Sequence, residues 1–506
     1  MMRTPLTSHP RLWILLVAGI NLILAQYWTM REYMLLMASS EVSLLLVTVA
    51  FLASCSVGYR FAPHRLGGGV RWICLGLAVI HLLFPWLLKE AVGWAYWLEL
   101  PLITLWLMAF ATAFMAPLYT IFLPFLIERL EADQAEPPGD AVMVCYGIEL
   151  VGALVGILAI LTLGRWGLSP LVTFYFVNLS LLLAFVFEKR MVLAAALPVA
   201  LCYGLTFSPV DHIGAEHFYR RHDDDPDIRL LASTQSLYNR IDVVRTGDGQ
   251  KLLRLNGREY FNPTDLEAFN RYLAGIPSAL APGGRVLIVG TGSLSSAYHA
   301  SRTARSVESV EIDAQVVRLT KDLFREFNHL DQVDNWRLHI DDAKHYLGTT
   351  NARYDLIAVD LVPPVYVQTA LLFTKEFYAL AKSRLTSCGV LSIYTGHIVD
   401  DANLSNRRYV AEKTVDTVFA DYLVVNSQEA GMAFVYASDC LPYSKATIEA
   451  FLAAQGQAQV SQVLTAKEVR PLMTNNRAAS TQDLGIVVEW APSSYRLAFA
   501  TMGWGR

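Results

Sequence analysis

Two regimes of polar spacing divide this chain. From Arg11 to Pro209 charges come in small clusters between long apolar runs, whereas from Asp211 onward a charged residue recurs every few positions, as a water-facing surface requires. The change falls between Ser208 and Gly214. Apolar runs begin near Leu12, Val42, Trp72, Leu98, Ala141, Leu168 and Met191. Each is long enough to cross a hydrocarbon core of about 30 Å at about 1.5 Å per residue, which predicts about seven spans over 1–210. The first has no small-residue cleavage site and runs on into Gln26-Tyr27-Trp28-Thr29, so it reads as a retained helix. The run from Leu98 to Ile127 contains Pro101, Pro117 and Pro124, which predicts a tilted or kinked crossing. Gly147, Gly152 and Gly156 have the spacing of a close helix contact.

The water-facing half reads differently. Ser236 to Val244 and Lys251 to Leu255 alternate at period two, and Asn256-Gly257 is a two-residue turn signal, which predicts a small β-hairpin module. A helix from about Asp265 carries Leu266, Phe269, Leu273 and Ile276 at helical spacing. Strands are predicted at Val286–Val289, Ser309–Ile312, Trp336–Ile340, Asp355–Val359, Val390–Tyr394, Tyr422–Val425 and Met432–Tyr436, with helices at Ala314–Phe327 and Thr374–Leu385. Strand alternating with helix argues a parallel doubly wound sheet, its last two strands pairing as a hairpin. The expected organisation is a transmembrane bundle over 1–210, a linker and hairpin module over 211–283, a methyltransferase-like Rossmann-type α/β domain over 284–440, and a C-terminal extension over 441–506 of helical and loop character.

Composition agrees with a membrane half: of 506 residues 54% are hydrophobic and 17% charged. A net charge of −4 without any Lys/Arg run gives no footprint for nucleic acid. The six cysteines, Cys55, Cys74, Cys145, Cys202, Cys388 and Cys440, form no CxxC pair, so they read as small core residues, not as a disulfide framework or zinc site. Basic residues at Arg3, Arg11, Arg60, Arg65, Arg71, Arg129, Lys189 and Arg190 fall on one side if the amino terminus is cytoplasmic, with Arg31, Lys89 and Arg165 opposite. Seven true spans from that start would deliver the second half outside, where nucleotide-derived cofactors are scarce. A cytoplasmic domain is expected nonetheless, with the run Met191 to Pro209, broken by Pro198, the weakest of the spans. Two carboxylates fall inside the runs. Glu32 beside Arg31 reads as an interfacial ion pair, and Glu149 either lines a polar cavity or bonds to another helix.

The chemistry concentrates at strand ends. Arg285-Val-Leu-Ile-Val289 leads into Gly290-Thr291-Gly292-Ser293, and Glu311 follows about twenty residues on, the layout of a nucleoside site. Gly290 and Gly292 let backbone pass close to a ligand. Ser295 stands where a dinucleotide fingerprint has its third glycine, so pyrophosphate is disfavoured. Glu311 can accept both hydroxyls of a ribose. Asp342, with Ala343, ends the third strand where it can accept an adenine amino group; Asp341 is the alternative. Asp360 ends the fourth. A strand-end carboxylate is often only a helix cap, the reading given to Asp313, but three at successive strand ends after a glycine turn point to one site.

The order Ser236-Leu-Tyr-Asn239, Asn256-Gly257, Asp265, Val286 to Gly292, Val310-Glu311-Ile-Asp313, Asp342-Ala343, Tyr354 to Asp360 and Phe373-Thr-Lys-Glu-Phe-Tyr378 resembles the polyamine aminopropyltransferases, the spermidine synthase family, over about Ser233 to Gly396. Arg31-Glu-Tyr and Tyr146-Gly-Ile-Glu-Leu-Val-Gly152 resemble the membrane region fused to some members. The resemblance implies transfer of an aminopropyl group from decarboxylated S-adenosylmethionine, a co-substrate, to putrescine or a related amine, with no metal and no prosthetic group. It further implies Asn239, Gly290, Gly292, Glu311, Asp342 and Ala343 around the donor, Asn270 and Ser293 on the acceptor side, and Asp360 as the base. Departures fall mostly on the acceptor side, with one, Asn239, at the methylthio end of the donor. Phe269-Asn270-Arg271 replaces Tyr-His-Glu, Ser293 an aspartate, Pro363 a second aspartate and Asn239 a glutamine. Loss of carboxylates weakens attraction for a dication, and Arg271 adds repulsion of about 1 kcal/mol at short range. An S-adenosylmethionine-dependent methyltransferase and a non-catalytic nucleoside-sensing transporter or scaffold remain as alternatives, and a homo-oligomer stays open.

Overall fold

The structure, a computed structural model, describes residues 11–36, 41–100, 107–108, 110–133, 138–361, 367–398 and 402–482. The chain divides into two compact units, one built on residues up to Gly249 and the other mainly from Glu259 onward.

The first unit is helical. Its principal helices are α1 (Trp13–Leu36), α2 (Glu41–Arg60), α3 (Gly68–Trp97), α4 (Phe122–Asp133), α5 (Pro138–Leu163), α6 (Leu168–Phe187) and α7 (Arg190–His222). Among the described residues six helices are long and apolar enough to cross a membrane, and Val47–Arg60 is a shorter apolar one. Helices α1 and α5 cross closely because glycines remove side chains from the contact. A Cβ at Gly152 would collide with the Leu16 carbonyl oxygen and one at Gly19 with that of Glu149, while one at Gly156 would sit 2.9 Å from that of Ile20. Gly147 faces open space and takes no part. The outer face of α5 leaves Leu154, Ile157, Leu158 and Leu161 exposed, an apolar surface suited to lipid.

Helix α7 corrects the expected weak span. It is 33 residues long and carries both Pro198 and Pro209, so the composition boundary at 208–214 falls inside a continuous helix. After it come β1 (Arg229–Gln235) and β2 (Arg240–Arg245), which pair antiparallel with Gln235 opposite Arg240. Strand β2 therefore begins at Arg240, and Ser236 to Asn239 form the turn before it.

The second unit holds an eight-stranded mixed sheet. Its strands are β5 (Arg285–Val289), β6 (Ser306–Glu311), β7 (Trp336–Ile340), β8 (Tyr354–Val359), β9 (Leu385–His397), β10 (Asp421–Ser427), β11 (Met432–Ser438) and β12 (Ser461–Thr465), in the order β12-β10-β11-β9-β8-β5-β6-β7. Strands β3 (Lys251–Leu255) and β4 (Arg258–Phe261) precede it, joined by Asn256 and Gly257 with φ of 51° and 79°, the left-handed pair that such a two-residue turn needs. Strands β5 to β9 run parallel, while β10 and β11 form the expected antiparallel hairpin. Strand β12 was not expected; it adds antiparallel to β10 from the C-terminal extension. Cores cover both faces, one around Phe377, Tyr378 and Leu391 and the other around Tyr272, Ile288 and Phe434.

The cysteine reading is corrected as well, since Cys388 and Cys440 form a disulfide with 4.7 Å between Cα atoms. They stand 52 residues apart in sequence but meet because β9 and β11 are sheet neighbours, a proximity that spacing alone does not reveal.

Candidate functional site

Register brings the candidate residues together. Val289 lies opposite both Val310 and Val359, and Glu311 opposite Ile340. The carboxyl ends of β8, β5, β6 and β7 therefore line up, and Asp360, Gly290, Glu311 and Asp341-Asp342 follow in a row along one sheet edge. Ligands of doubly wound sheets sit at such an edge.

Gly290 closes the backbone at its centre. With φ of +74° it donates its N–H to the Val310 carbonyl, and Asp360 N donates to the Val289 carbonyl at 2.8 Å. A Cβ on Gly290 would meet the Asp360 carbonyl oxygen at 2.5 Å, so only glycine fits. Gly292 lies under the ring of Tyr260, whose Cε1 would collide with any Cβ there. Glu311 fixes the turn between them: one carboxylate oxygen accepts from Thr291 N at 3.1 Å and the other from Asp313 N at 3.0 Å. Burial nevertheless pushes its carboxyl above the ordinary value, against those two bonds.

Asp360 is buried, and its surroundings are specific. Ser296 Oγ stands 2.5 Å from Asp360 Oδ2 and 2.6 Å from Asn270 Oδ1. One hydroxyl proton cannot serve two acceptors, and Asn270 Nδ2 has no partner. With the amide turned over, Asn270 Nδ2 donates to Ser296 and Ser296 donates to Asp360, which gives the hydroxyl one donor and one acceptor. Burial pushes the Asp360 carboxyl up to about 7; the Ser296 bond opposes this and the nearby Glu311 charge adds to it. The same two carboxylates, after burial, hold the Tyr260 hydroxyl well above its ordinary pKa. Two more hydroxyls, Thr291 Oγ1 and Ser295 Oγ, are buried without a partner. Unsatisfied donors of this kind are costly unless something binds there.

The other expected residues are placed as follows. Ser293 is buried at the glycine turn and accepts from Ser295 N at 3.3 Å. Asp342 caps the helix Ala343–Thr349, its Oδ1 accepting from Lys344 N and His345 N, and is exposed. Ala343 is the first residue of that helix. Asp313 caps Ala314–Leu323 as expected. Asn239 belongs to the other unit, where its Oδ1 accepts from Asn256 Nδ2 at 2.8 Å. Phe269 packs in the core against Tyr394 and Phe434. Arg271 pairs with Glu429 at 2.5 Å, so the repulsion expected from it is neutralised. Pro363 lies outside the described residues. Sequence reasoning missed Tyr260 and Ser296. Neither carries a motif, although Ser296 follows the unusual Ser295 directly.

Residues 266–439 match the family model described as the spermine/spermidine synthase domain. This domain belongs to the spermidine synthase family. The chain is similar to polyamine aminopropyltransferases from Streptococcus uberis (27% identity, 37% of this chain and 69% of the relative), Lachnospira eligens (31%, 33% and 60%) and Mycobacterium tuberculosis (29%, 57% and 58%). It thus spans about three fifths of the length of the latter two. A solved spermidine synthase from Thermotoga maritima aligns at 23% identity over 42% of this chain and 74% of its own, with a TM-score of 0.37.

Proposed function

We propose that the chain is a membrane-bound polyamine aminopropyltransferase that moves an aminopropyl group from decarboxylated S-adenosylmethionine to putrescine or a related amine. The observation that carries the reading is Asp360, a buried carboxyl poised near neutrality on the same sheet edge as Glu311 and a glycine turn with orphaned hydroxyls. An ammonium group is no nucleophile until it loses a proton, and a carboxylate of matched pKa both attracts the cation and receives that proton. The freed lone pair attacks the aminopropyl carbon next to sulfur. The C–S bond breaks with its electron pair on sulfur, which leaves neutral methylthioadenosine. A sulfonium is already a good leaving group, so orientation and exclusion of water supply most of the remaining acceleration.

In this reading Glu311 holds the ribose with the lone pairs that its two backbone donors leave free, Asp342 and Ala343 face the adenine, and Asn239 serves the donor as the resemblance implies. Asn270 reaches the acceptor side through Ser296 and Asp360, with Ser293 beside the glycine turn. The domain is placed on the cytoplasmic face, where a nucleoside donor is made. The test uses the full-length protein in detergent with donor and putrescine, read by mass spectrometry. Aminopropylated amine and methylthioadenosine should form in equal amounts and vanish in Asp360→Asn. Turnover unchanged in that variant would remove Asp360 as base. Binding of S-adenosylmethionine in preference to its decarboxylated form would replace the reading with methyl transfer.

A further inference from the structure

The first unit contains a line of buried charges that the chemistry above does not use. Glu32 on α1 accepts from Lys89 Nζ on α3 at 2.5 Å, and Lys89 also donates to Asp211 Oδ1 on α7 at 2.6 Å. The other Asp211 oxygen accepts from Arg240 Nη1 at 2.7 Å, and Arg240 Nε donates to Asp242 Oδ2 at 2.8 Å, which also accepts from Tyr219 Oη at 2.6 Å. Signs alternate from carboxylate to cation along five residues, all 9% exposed or less. Such a line costs desolvation that a set of packed apolar side chains would not, so its worth lies in fixing geometry.

What it fixes is the turn before β2. Arg240 follows Asn239 directly; its N–H donates to Asn256 Oδ1 at 2.9 Å, and the same Asn256 amide donates to Asn239. From the other side Arg31, next to Glu32 and itself buried, donates through one nitrogen to the carbonyls of Ser236 and Leu237, both at 2.9 Å. Within the turn Ser236 Oγ accepts from the N–H groups of Tyr238 and Asn239 at 3.1 and 2.9 Å. Arg31 on α1 directly, and Lys89 on α3 through Asp211 and Arg240, thus hold the two ends of the turn.

We propose that the helical bundle is the mount of the 236–240 turn, with Arg31, Lys89 and Asp211 as positioning residues that hold Asn239 in place for the donor. This gives the fusion to a bundle a mechanical purpose: charges buried among its helices set the conformation of the turn that carries Asn239. The proposal rests on the aminopropyltransferase reading for the role of Asn239, but not for the mount itself.

The experiment takes full-length protein in detergent as wild type, Arg31→Gln, Arg31→Lys and Asp211→Asn. Amide hydrogen exchange at 237–240 and at 285–311 is compared, together with KM for decarboxylated S-adenosylmethionine and kcat. Arg31→Gln and Asp211→Asn are expected to speed exchange at 237–240 at least tenfold, leave 285–311 unchanged, and raise donor KM about tenfold with kcat within a factor of two. Arg31→Lys, which keeps one donor, should restore part of both effects. Exchange at 237–240 unchanged in both variants overturns the mount, as does faster exchange throughout the protein. Faster exchange confined to the turn with donor KM unchanged overturns the role of Asn239. A wild type without turnover tells against the aminopropyltransferase reading alone, and the exchange measurement still decides the mount.

Discussion

Replacing Asp360 with asparagine separates a buried charge from a buried polar group of the same shape, and the pH dependence of the outcome can be worked out in advance. The carboxyl has an ordinary value of 3.8 and titrates at about 7 in the fold, chiefly because burial disfavours the charge. Below pH 3.8 it is protonated whether folded or unfolded, and no penalty exists. Between 3.8 and about 7 the folded chain keeps a proton that the unfolded chain has released, so stability falls as pH rises. Above that range the full penalty stands, about 4 kcal/mol at about 1.4 kcal/mol per pH unit. The amide of the variant is neutral throughout and never incurs it. The Ser296 bond to the carboxylate is already part of that balance. Asp360→Asn should therefore raise the melting temperature of the full-length protein by about 8–16 °C at about pH 8.5, taking about 2–4 °C per kcal/mol for a unit of this size. The gain should shrink towards zero at about pH 4. Activity should move the opposite way, with kcat/KM of the wild type rising through about pH 7 and the variant slower by about 10²–10⁴-fold. A variant no more stable than the wild type at the alkaline pH, or equally stabilised at both pH values, would refute the premise that the protein holds an uncompensated charge there.

Ser296→Ala removes the bond that lowers the Asp360 pKa, so the rising limb of kcat/KM should move to higher pH by about one unit; a limb that stays put would show that Ser296 does not donate to the carboxylate. Gly290→Ala forces a Cβ to within 2.5 Å of a backbone oxygen at a φ of +74°, and should cost about 1–3 kcal/mol in thermal unfolding and abolish binding of methylthioadenosine in calorimetry. On the cytoplasmic placement, Cys388 and Cys440 should be thiols in living cells and both take up alkylating reagent before lysis. A bond that survives such trapping would move the domain to an oxidising compartment.

The parallel sheet was legible because its strands are short apolar runs between turn signals, and the carboxylates because each ends such a run. Period-two alternation says nothing about which residue of β4 leans over a neighbouring turn, so Tyr260 stayed hidden until the fold placed its ring on Gly292. Ser296 was hidden for a related reason: its partners Asn270 and Asp360 lie 26 and 64 residues away, and only the packing of α8 (Pro263–Asn270) beside α9 (Ser295–Ser301) joins them. The end of the bundle was misplaced by counting charges. Asp211 looks like the start of a solvated surface, yet Lys89 and Arg240 neutralise it in place and α7 continues. Charge counting failed again at Arg271, whose partner Glu429 lies 158 residues on.

That last pairing changes what limits the acceptor. If Arg271 is neutralised, the weak case for a diamine comes from missing carboxylates alone, and one restored carboxylate should show it. Ser293 is buried at the glycine turn where the resemblance expects aspartate. Ser293→Asp brings a further negative charge to the edge that already holds Glu311 and Asp360, so without a ligand it should raise the Asp360 titration and lower the melting temperature at about pH 8. A bound dication offsets that repulsion, whereas a monoamine supplies only the ammonium that Asp360 deprotonates. At an effective dielectric near about 20, an added ion pair at about 4 to 6 Å contributes about 3–4 kcal/mol before desolvation and about 1–2 after it. The expected outcome is a KM for putrescine lower by about tenfold and a KM for a monoamine of equal length unchanged, measured side by side at the same pH. Equal improvement for both amines would mean that the new carboxylate acts on the base and not on the distal ammonium, and the acceptor would then have to be sought among molecules with one charge.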